Sequence, residues 1–157
     1  MSILLLGESG AGKSTFVNTL CDEDIIPTNR STPAELIIEE YHANLDEGGT
    51  RISLDITMCP GFGDYVNNEA STARVVKLVE GQFENVLNEE RRINRNPKFK
   101  DTRIHAVLYF IRPTSKGLRE LDIQCLQQLS RRCNIIPIMS KADFLTNDER
   151  KLNRELI

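Results

Sequence analysis

The chain has 157 residues, of which 39% are hydrophobic and 27% are charged, and its formal net charge is -3. This length suits one globular domain, and the composition is that of an ordinary soluble protein. The lack of a basic excess argues against a protein that wraps nucleic acid, and no stretch approaches the ~20 apolar residues of a membrane span. The cysteines lack the spacing of a metal site or a disulfide framework, so we expect reduced thiols in a cytosolic core.

Strands and helices alternate along the chain. Residues 3–6 form a continuous apolar run, which is typical of a strand covered on both faces, and residues 36–45 and 50–58 flank a tight-turn sequence at 46–49. This alternation predicts an α/β fold with a mostly parallel sheet, helices on both faces and one antiparallel hairpin strand. Further strands are predicted at 104–111 and 135–139, and helices at 13–20, 69–89, 118–129 and 147–157. The predicted buried face of the 69–89 helix consists of Thr72, Val75, Val76, Val79, Phe83, Val86 and Leu87.

A complete phosphate-loop motif, G-x-x-x-x-G-K-[ST], lies at residues 7–14 between the first strand and the first helix. Its glycines let successive backbone amides point at a phosphate, and the helix N-terminus adds partial positive charge. In this motif Lys13 reaches the terminal phosphates and the Ser14 hydroxyl is the expected ligand of a metal ion. A glycine-rich turn that binds nothing is the disfavoured alternative. The predicted nucleotide contacts of the loop are Gly7, Glu8, Ser9, Gly10, Ala11, Gly12, Lys13, Ser14 and Thr15.

A second motif, Ser140-Lys141-Ala142-Asp143, directly follows the predicted strand at 135–139. The Asp143 carboxylate can accept two hydrogen bonds from guanine, a donor pair that adenine lacks, and the stem of Lys141 can lie over the base. A K-x-D sequence alone is a weak signal. Its place after a strand is where an open α/β sheet binds ligands, which favours guanine recognition over a solvated charge pair.

Four stretches together resemble the GTPase domain of septins: GESGAGKSTFVNTL (7–20), PGFGD (60–64), NPKFKDTRIHAVLYFIRPTSKGLRELD (96–122) and NIIPIMSKADFLTNDE (134–149). The third is the most specific, and the whole pattern is similar to fungal septin subunits near the ends of septin rods. The resemblance implies a septin-type P-loop GTPase domain over residues 1–157, which we expect to be incomplete at its C-terminus. No tail for pairing with partners is visible.

The resemblance also implies a function and further site residues. Septins bind GTP or GDP and join other septin subunits into hetero-oligomeric cytoskeletal filaments, in the cytoplasm at the cell cortex and division site, with membrane association through the filaments. Gly61 matches the glycine whose N–H approaches the γ-phosphate, and Lys116 falls on a loop that meets the nucleotide of the neighbouring subunit.

Two positions depart from the family pattern. Met58 stands where septins usually carry the aspartate that holds Mg²⁺ through its water shell, and a thioether does not suit a hard cation. Switch I, the segment in which the family pattern has a threonine, lacks an unambiguous one here. Glu35 lies near the expected position, and Thr32 is a displaced candidate. We therefore expect weak or absent Mg²⁺ binding and a pocket that binds guanine nucleotide but hydrolyses GTP slowly or not at all.

Three functions remain open at this point. The first is a structural assembly subunit that carries a nucleotide at an interface, the second is a switch GTPase that controls assembly by hydrolysis, and the third is an ATP-using P-loop enzyme such as a kinase. Met58 favours the first, and Asp143 disfavours the third. The basic segment at 91–100 is flanked by acidic residues, which favours a solvated loop or subunit contact over a phosphoinositide site.

Overall fold

The computed structural model describes residues 1–29, 31–65, 68–94 and 96–157, with the backbone alone at Glu47. Within these residues one five-stranded sheet has the strand order β2-β3-β1-β4-β5. The strands are β1 (Ser2–Leu6), β2 (Glu39–Glu47), β3 (Thr50–Met58), β4 (Ala106–Ile111) and β5 (Asn134–Met139). The helices are α1 (Lys13–Cys21), α2 (Glu69–Glu90), α3 (Glu120–Leu129) and α4 (Asn147–Leu156), and a 3₁₀ turn spans Ala142–Phe144.

The sheet is parallel except at one edge. β1 pairs in parallel with both β3 and β4, β4 pairs in parallel with β5, and β2 runs antiparallel to β3. The hairpin closes through Gly48 and Gly49, whose φ angles of 57° and 82° suit a two-residue turn of the kind that matches the twist of the strands. The predicted fold class is therefore confirmed, including the single antiparallel strand.

Helices cover both faces of the sheet because the central strand β1 is apolar on both. Leu4 and Leu6 belong to one core cluster, together with apolar side chains of α2 and α3. Ile3 and Leu5 belong to the other cluster, which includes Val17 of α1. Successive side chains of a strand point to opposite faces, so this continuous apolar run is what places β1 in the middle of three layers.

Several predicted boundaries differ from those of the structure. The first hairpin arm begins at Glu39 and not at residue 36, because the preceding segment is hydrogen-bonded elsewhere: Ile37 N–H donates to Pro60 O at 3.0 Å. The third helix begins at Glu120 and not near 118. On α2, Leu87 was predicted to be buried but is 48% exposed, whereas its neighbour Val86 is buried, so the buried face of that helix is narrower than predicted at this end.

No helix within the described ranges is both long and apolar enough to cross a membrane.

The end of β1 lies tightly against β4. Gly7 has φ +135°, and a Cβ atom there would lie 2.6 Å from the Phe110 carbonyl oxygen and 2.8 Å from the Phe110 Cβ. Both contacts are closer than atoms can approach, and the Phe110 carbonyl belongs to the backbone of a buried strand. A residue other than glycine would therefore push β1 away from β4, just where the phosphate loop begins.

We expect Gly7→Ala to lower the free energy of unfolding by about 2 kcal/mol or more relative to Gly10→Ala. Gly10 is a matched control, because its φ is also positive (+73°) but a Cβ there would meet nothing within 4 Å. Urea denaturation of the two variants measures the difference. Equal losses of stability in the two variants would contradict a close contact between the loop and β4.

Candidate nucleotide-binding site

The phosphate loop connects β1 to α1 with a backbone shaped by glycine. Gly10 and Gly12 have φ +73° and +88°, and Gly12 immediately precedes the first residue of α1. The first turn of α1 carries no acidic side chain, so no carboxylate on the helix competes for its amide groups. Free N–H groups and the helix dipole therefore favour an anion at this end of α1.

Lys13 lies inside the loop. It is 7% exposed, and its Nζ donates hydrogen bonds to the carbonyl oxygens of Gly7 at 2.7 Å and Glu8 at 2.6 Å. Burial lowers the pKa of the ammonium from its usual value, and attraction to the Asp64 carboxylate opposes that shift. The Lys13 ammonium is thus held in position by hydrogen bonds to the backbone of the phosphate loop.

A cavity of about 220 Å³ opens beside this loop. Its lining comes from the phosphate loop, from Met58 at the end of β3 and Pro60 just after it, and from the segment that follows α1. Of the predicted nucleotide contacts, the cavity brings together Ser9, Gly10, Gly12, Lys13, Ser14 and Thr15. Donors on the loop and a buried ammonium beside an open cavity suit a phosphate group.

The predicted base motif follows β5 on the other side of the phosphate loop. Ser140 is anchored to β4, since both its N–H and its hydroxyl donate to the carbonyl oxygen of Ile111 at 2.9 Å. Lys141 has φ +49°, and a second cavity of about 80 Å³ lies between it and the phosphate loop, lined in part by Glu8 and Ala11. Asp143 is exposed in the 3₁₀ turn, where its carboxylate is accessible to a base.

The turn that carries Asp143 is held by α4. An Arg150 guanidinium nitrogen donates to the Ala142 carbonyl oxygen at 3.1 Å. α4 itself begins with a capping box in which Thr146 and Glu149 satisfy each other's backbone N–H groups, and those hydrogen bonds lower the pKa of the Glu149 carboxyl. The helix thereby fixes the backbone on which the base motif lies.

Glu8 joins the phosphate loop to α3 through charge. Its carboxylate pairs with the guanidinium groups of Arg112 and Arg119. Arg119 also pairs with Asp122 at 2.9 Å, and Tyr109 donates to the same buried carboxylate at 2.9 Å. Glu8 is therefore engaged within the protein by its side chain, so any contact that it makes with a phosphate comes from its backbone.

The segment from 33 to 37 is attached to the loop that follows β3. The Tyr65 hydroxyl donates to the Pro33 carbonyl oxygen at 2.9 Å. Gly61 has φ +86°, and a Cβ there would lie 2.5 Å from the Tyr65 hydroxyl and 3.1 Å from the Glu35 carbonyl oxygen. Gly61 is thus enclosed by these two residues, and it is not among the residues that line either cavity described above.

The residues around the cavity do not form a conventional magnesium site. Met58 is 3% exposed and lines the cavity, so a thioether occupies the wall where a carboxylate would be needed. Ser14 also lines it and offers a hydroxyl. Within the described ranges, no group of three His, Cys, Asp or Glu side chains is placed to hold a metal ion. The described lining of the cavity offers hydroxyls and a thioether but no carboxylate, whereas Mg²⁺ in proteins is usually bound through one or two carboxylates.

Lys116 lies apart from both cavities, on an exposed loop before α3. The loop is rigidly built: Thr114 donates to the Gly117 carbonyl oxygen at 2.6 Å, and Asn153 of α4 donates to the Thr114 carbonyl oxygen at 2.9 Å. Lys116 is thus exposed and lines neither cavity of its own chain.

In the basic segment at 91–100, two of the four basic side chains that the structure describes form ion pairs within the chain; Arg95 lies outside the described residues. Arg92 pairs with Glu89 at 2.9 Å, and Lys100 pairs with Asp55 at 2.5 Å. These pairs favour the prediction of a solvated loop over a lipid site.

The sequence analysis did not identify three candidate site residues, Thr28, Ser31 and Asp64. Thr28 and Ser31 line the larger cavity, whereas Thr32 and Glu35, the residues considered for this segment, are not among its lining. Asp64 accepts hydrogen bonds from both the N–H and the hydroxyl of Ser9. The polar run after α1 signals that hydroxyls are present but does not fix which of them faces the cavity.

Comparison with known proteins identifies the family. The septin family model matches residues 1–157. The chain is 42% identical to cell division control protein 11 of Saccharomyces cerevisiae over 99% of this chain and 40% of that protein, and 39% identical to the septin homolog spn3 of Schizosaccharomyces pombe over 100% of this chain and 44% of that protein. It thus spans less than half the length of these relatives.

A solved structure agrees. The crystal structure of Cdc11 from Saccharomyces cerevisiae superposes with a TM-score of 0.69 at 35% identity, over 100% of this chain and 59% of that one. A septin GTPase domain from Chlamydomonas reinhardtii shares the fold, with a TM-score of 0.65 at 20% identity. With the family match over its whole length and relatives at about 40% identity, the chain belongs to the septin family.

Proposed function

We propose that this chain is the guanine-nucleotide-binding part of a septin subunit, in which the nucleotide is mainly structural and lies at a contact between subunits. The observation that carries this proposal is the buried Lys13 ammonium beside an open cavity lined by the phosphate loop. Phosphate oxygens would be held by the loop amides and by Lys13, with the hydroxyls of Ser14 and Thr15 at the cavity wall. The bound nucleotide supplies interface surface and charge.

Base selection rests on the other half of the site. Ser140 anchors the motif to β4, Arg150 anchors the following turn, and the Asp143 carboxylate remains exposed. A fixed backbone with an unencumbered carboxylate suits the paired N1–H and amine donors of guanine. Adenine presents no such pair, so an ATP-using enzyme is the less favoured function.

Base preference is tested with Asp143→Asn. We expect the variant to bind GDP about 10-fold or more weakly than the parent, because hydrogen bonds to a charged group contribute about 1.5–3 kcal/mol each, while weak ADP binding stays unchanged. Asp148→Asn, an exposed position in the first turn of α4, is the matched control and should bind GDP as the parent does. Calorimetric titration measures the affinities of the parent and of both variants for GDP and ADP. Tighter binding of ADP than of GDP by the parent would refute a guanine site.

Met58 favours a structural nucleotide over an active switch. Phosphoryl transfer depends on a cation and positioned groups that neutralise charge on the γ-phosphate, and the described cavity wall has a thioether at that position. The alternative function, a switch GTPase whose hydrolysis of GTP to GDP controls assembly, needs this assistance. Slow or absent turnover, with weak or absent Mg²⁺ binding, is therefore the expected behaviour.

Chelation tests the role of Met58. We expect EDTA to leave the affinity of the parent for GDP unchanged and GTP turnover to be barely detectable. Met58→Asp should make the affinity depend on Mg²⁺ and raise turnover about 10-fold, because a carboxylate restores a hard ligand. Met58→Leu is the control for the change in packing and should resemble the parent. Rapid turnover by the parent, or loss of GDP on chelation, would contradict the structural role.

The partners follow from the family and from Lys116. We infer that the chain assembles with other septin subunits into hetero-oligomeric filaments at the cell cortex and division site, and that any membrane association comes through those filaments. Support comes from the names of its relatives as cell division control proteins and septins. The exposed Lys116, on a loop braced by Asn153, is the residue that we assign to the contact with the nucleotide of a neighbouring subunit.

A further inference from the structure

A glutamate within the phosphate loop carries a negative charge close to the place where an anion would bind. The carbonyl oxygen of Glu8 accepts a hydrogen bond from Lys13 Nζ at 2.6 Å, so the Glu8 carboxylate is within one side chain's length of that ammonium. Glu8 also lines the smaller cavity, beside Gly10 and Ala11 of the same loop. If this carboxylate had no cationic partner, its charge would repel a phosphate and oppose binding at the loop.

Arg119 is the main partner of this carboxylate. It immediately precedes α3, and its Nη1 donates a hydrogen bond to Glu8 Oε1. Arg112 pairs with the other oxygen, Oε2, at 3.4 Å, but the Arg112 side chain is 70% exposed, whereas that of Arg119 is 29% exposed. Exposed ion pairs contribute little, so neutralisation of the Glu8 charge depends chiefly on Arg119.

The Arg119 guanidinium is itself fixed in orientation by Asp122. Nε donates to Asp122 Oδ2 at 2.9 Å, and Nη2 donates to Oδ1 at 3.2 Å. The Asp122 side chain is buried, and the Tyr109 hydroxyl also donates to its Oδ1, at 2.9 Å. A two-point pair with an anchored carboxylate leaves the remaining nitrogen, Nη1, for Glu8.

Gly63, in the loop after β3, confines the stem of Glu8. A Cβ atom at Gly63 would lie 3.0 Å from Glu8 Cγ and 3.5 Å from Leu121 Cδ2 of α3. The phosphate loop, the loop after β3 and the start of α3 therefore meet around one side chain. Packing and charge together hold the Glu8 carboxylate at Arg119.

We propose that Arg119 is a positioning residue for the phosphate loop: it neutralises the Glu8 carboxylate and holds it at α3, which allows the loop to bind the phosphates of a nucleotide. The inference rests on the proposed guanine-nucleotide site and adds the residue that balances its charge. Arg119 lines neither cavity, so it acts through Glu8 and not by contact with the nucleotide.

The test measures GDP affinity by calorimetry in two variants. We expect Arg119→Met to bind GDP about 10-fold more weakly than the parent, as an uncompensated negative charge several ångströms from the ligand would produce near a protein surface. Adding Glu8→Gln removes that charge, so the double variant should bind GDP about 3-fold or more tightly than Arg119→Met does. Both variants lose the pair with Asp122, so a purely structural role of Arg119 predicts equally weak binding by the two.

Arg132→Met is the matched control. Arg132 also pairs with a carboxylate, that of Glu80, and is of similar exposure, but it follows the other end of α3. We expect this variant to bind GDP as the parent does.

A second series covers a failure to fold. If Arg119→Met does not fold because the buried Asp122 carboxylate is left unpaired, the same two changes are made in an Asp122→Asn background, which becomes the reference for both affinities. The asparagine removes the buried charge and keeps an oxygen acceptor for the Tyr109 hydroxyl.

The outcomes are distinct. GDP binding by Arg119→Met as tight as that of its reference, or no recovery of affinity when Glu8→Gln is added, would overturn the inference and leave Arg119 a structural role alone. Failure of the parent itself to bind GDP would overturn the proposed function, and the inference with it.

Discussion

The Lys13 ammonium is buried within the loop between β1 and α1, and the arrangement of the site depends on keeping that charge there. Taking an ammonium out of water is costly unless hydrogen bonds and opposite charge replace the water. Here the carbonyl oxygens of Gly7 and Glu8 accept from it, and the Asp64 carboxylate lies near. The loop must curl back on itself to offer those carbonyls, which is why glycines with positive φ are needed at its turns.

That constraint ties the loop to the rest of the fold. The curl starts at Gly7, which passes so closely over Phe110 of β4 that a side chain has no room. It is braced on the other side by Glu8, whose carboxylate reaches Arg119 and, through it, the buried Asp122 of α3. The packing of β1 against β4 and the charge network to α3 thus hold the phosphate loop in shape before any ligand arrives.

The charges around the cavity determine whether the site can bind a nucleotide, catalyse phosphoryl transfer, or both. A pocket whose described lining contains one buried cation, no carboxylate and a methionine has little means of stabilising charge that develops on a terminal phosphate. It has ample means of holding a β-phosphate. Binding and catalysis are separable on this basis, which is why we propose a structural nucleotide and not an active switch.

The sequence predicted the fold well because β1 and β4 are continuous apolar runs and the phosphate loop has a fixed length. Most of the phosphate-loop residues that it predicted to contact a nucleotide line one cavity, because a motif between a strand and a helix leaves little conformational freedom. The sequence-based predictions were wrong about the burial of Leu87, which is exposed, and about the start of β2, which lies at Glu39 and not at residue 36. At both places tertiary contacts override local periodicity.

The cavity wall made by Thr28 and Ser31, and the bonds from Ser9 to Asp64, could not be read from spacing. Both depend on how irregular segments fold across the end of the sheet. Loops of this kind have no periodicity, so composition reveals that hydroxyls and carboxylates are present but not which of them meets the phosphate loop. The predicted base motif was easier to place, because Ser140 directly follows the last residue of β5.

The central claim is that the chain holds a guanine nucleotide as a lasting structural ligand. It is tested most directly by purifying the protein without added nucleotide, denaturing it, and identifying the released compounds by ion-exchange chromatography. Our account predicts close to one guanine nucleotide per chain. An empty pocket, or an adenine nucleotide in its place, would contradict it.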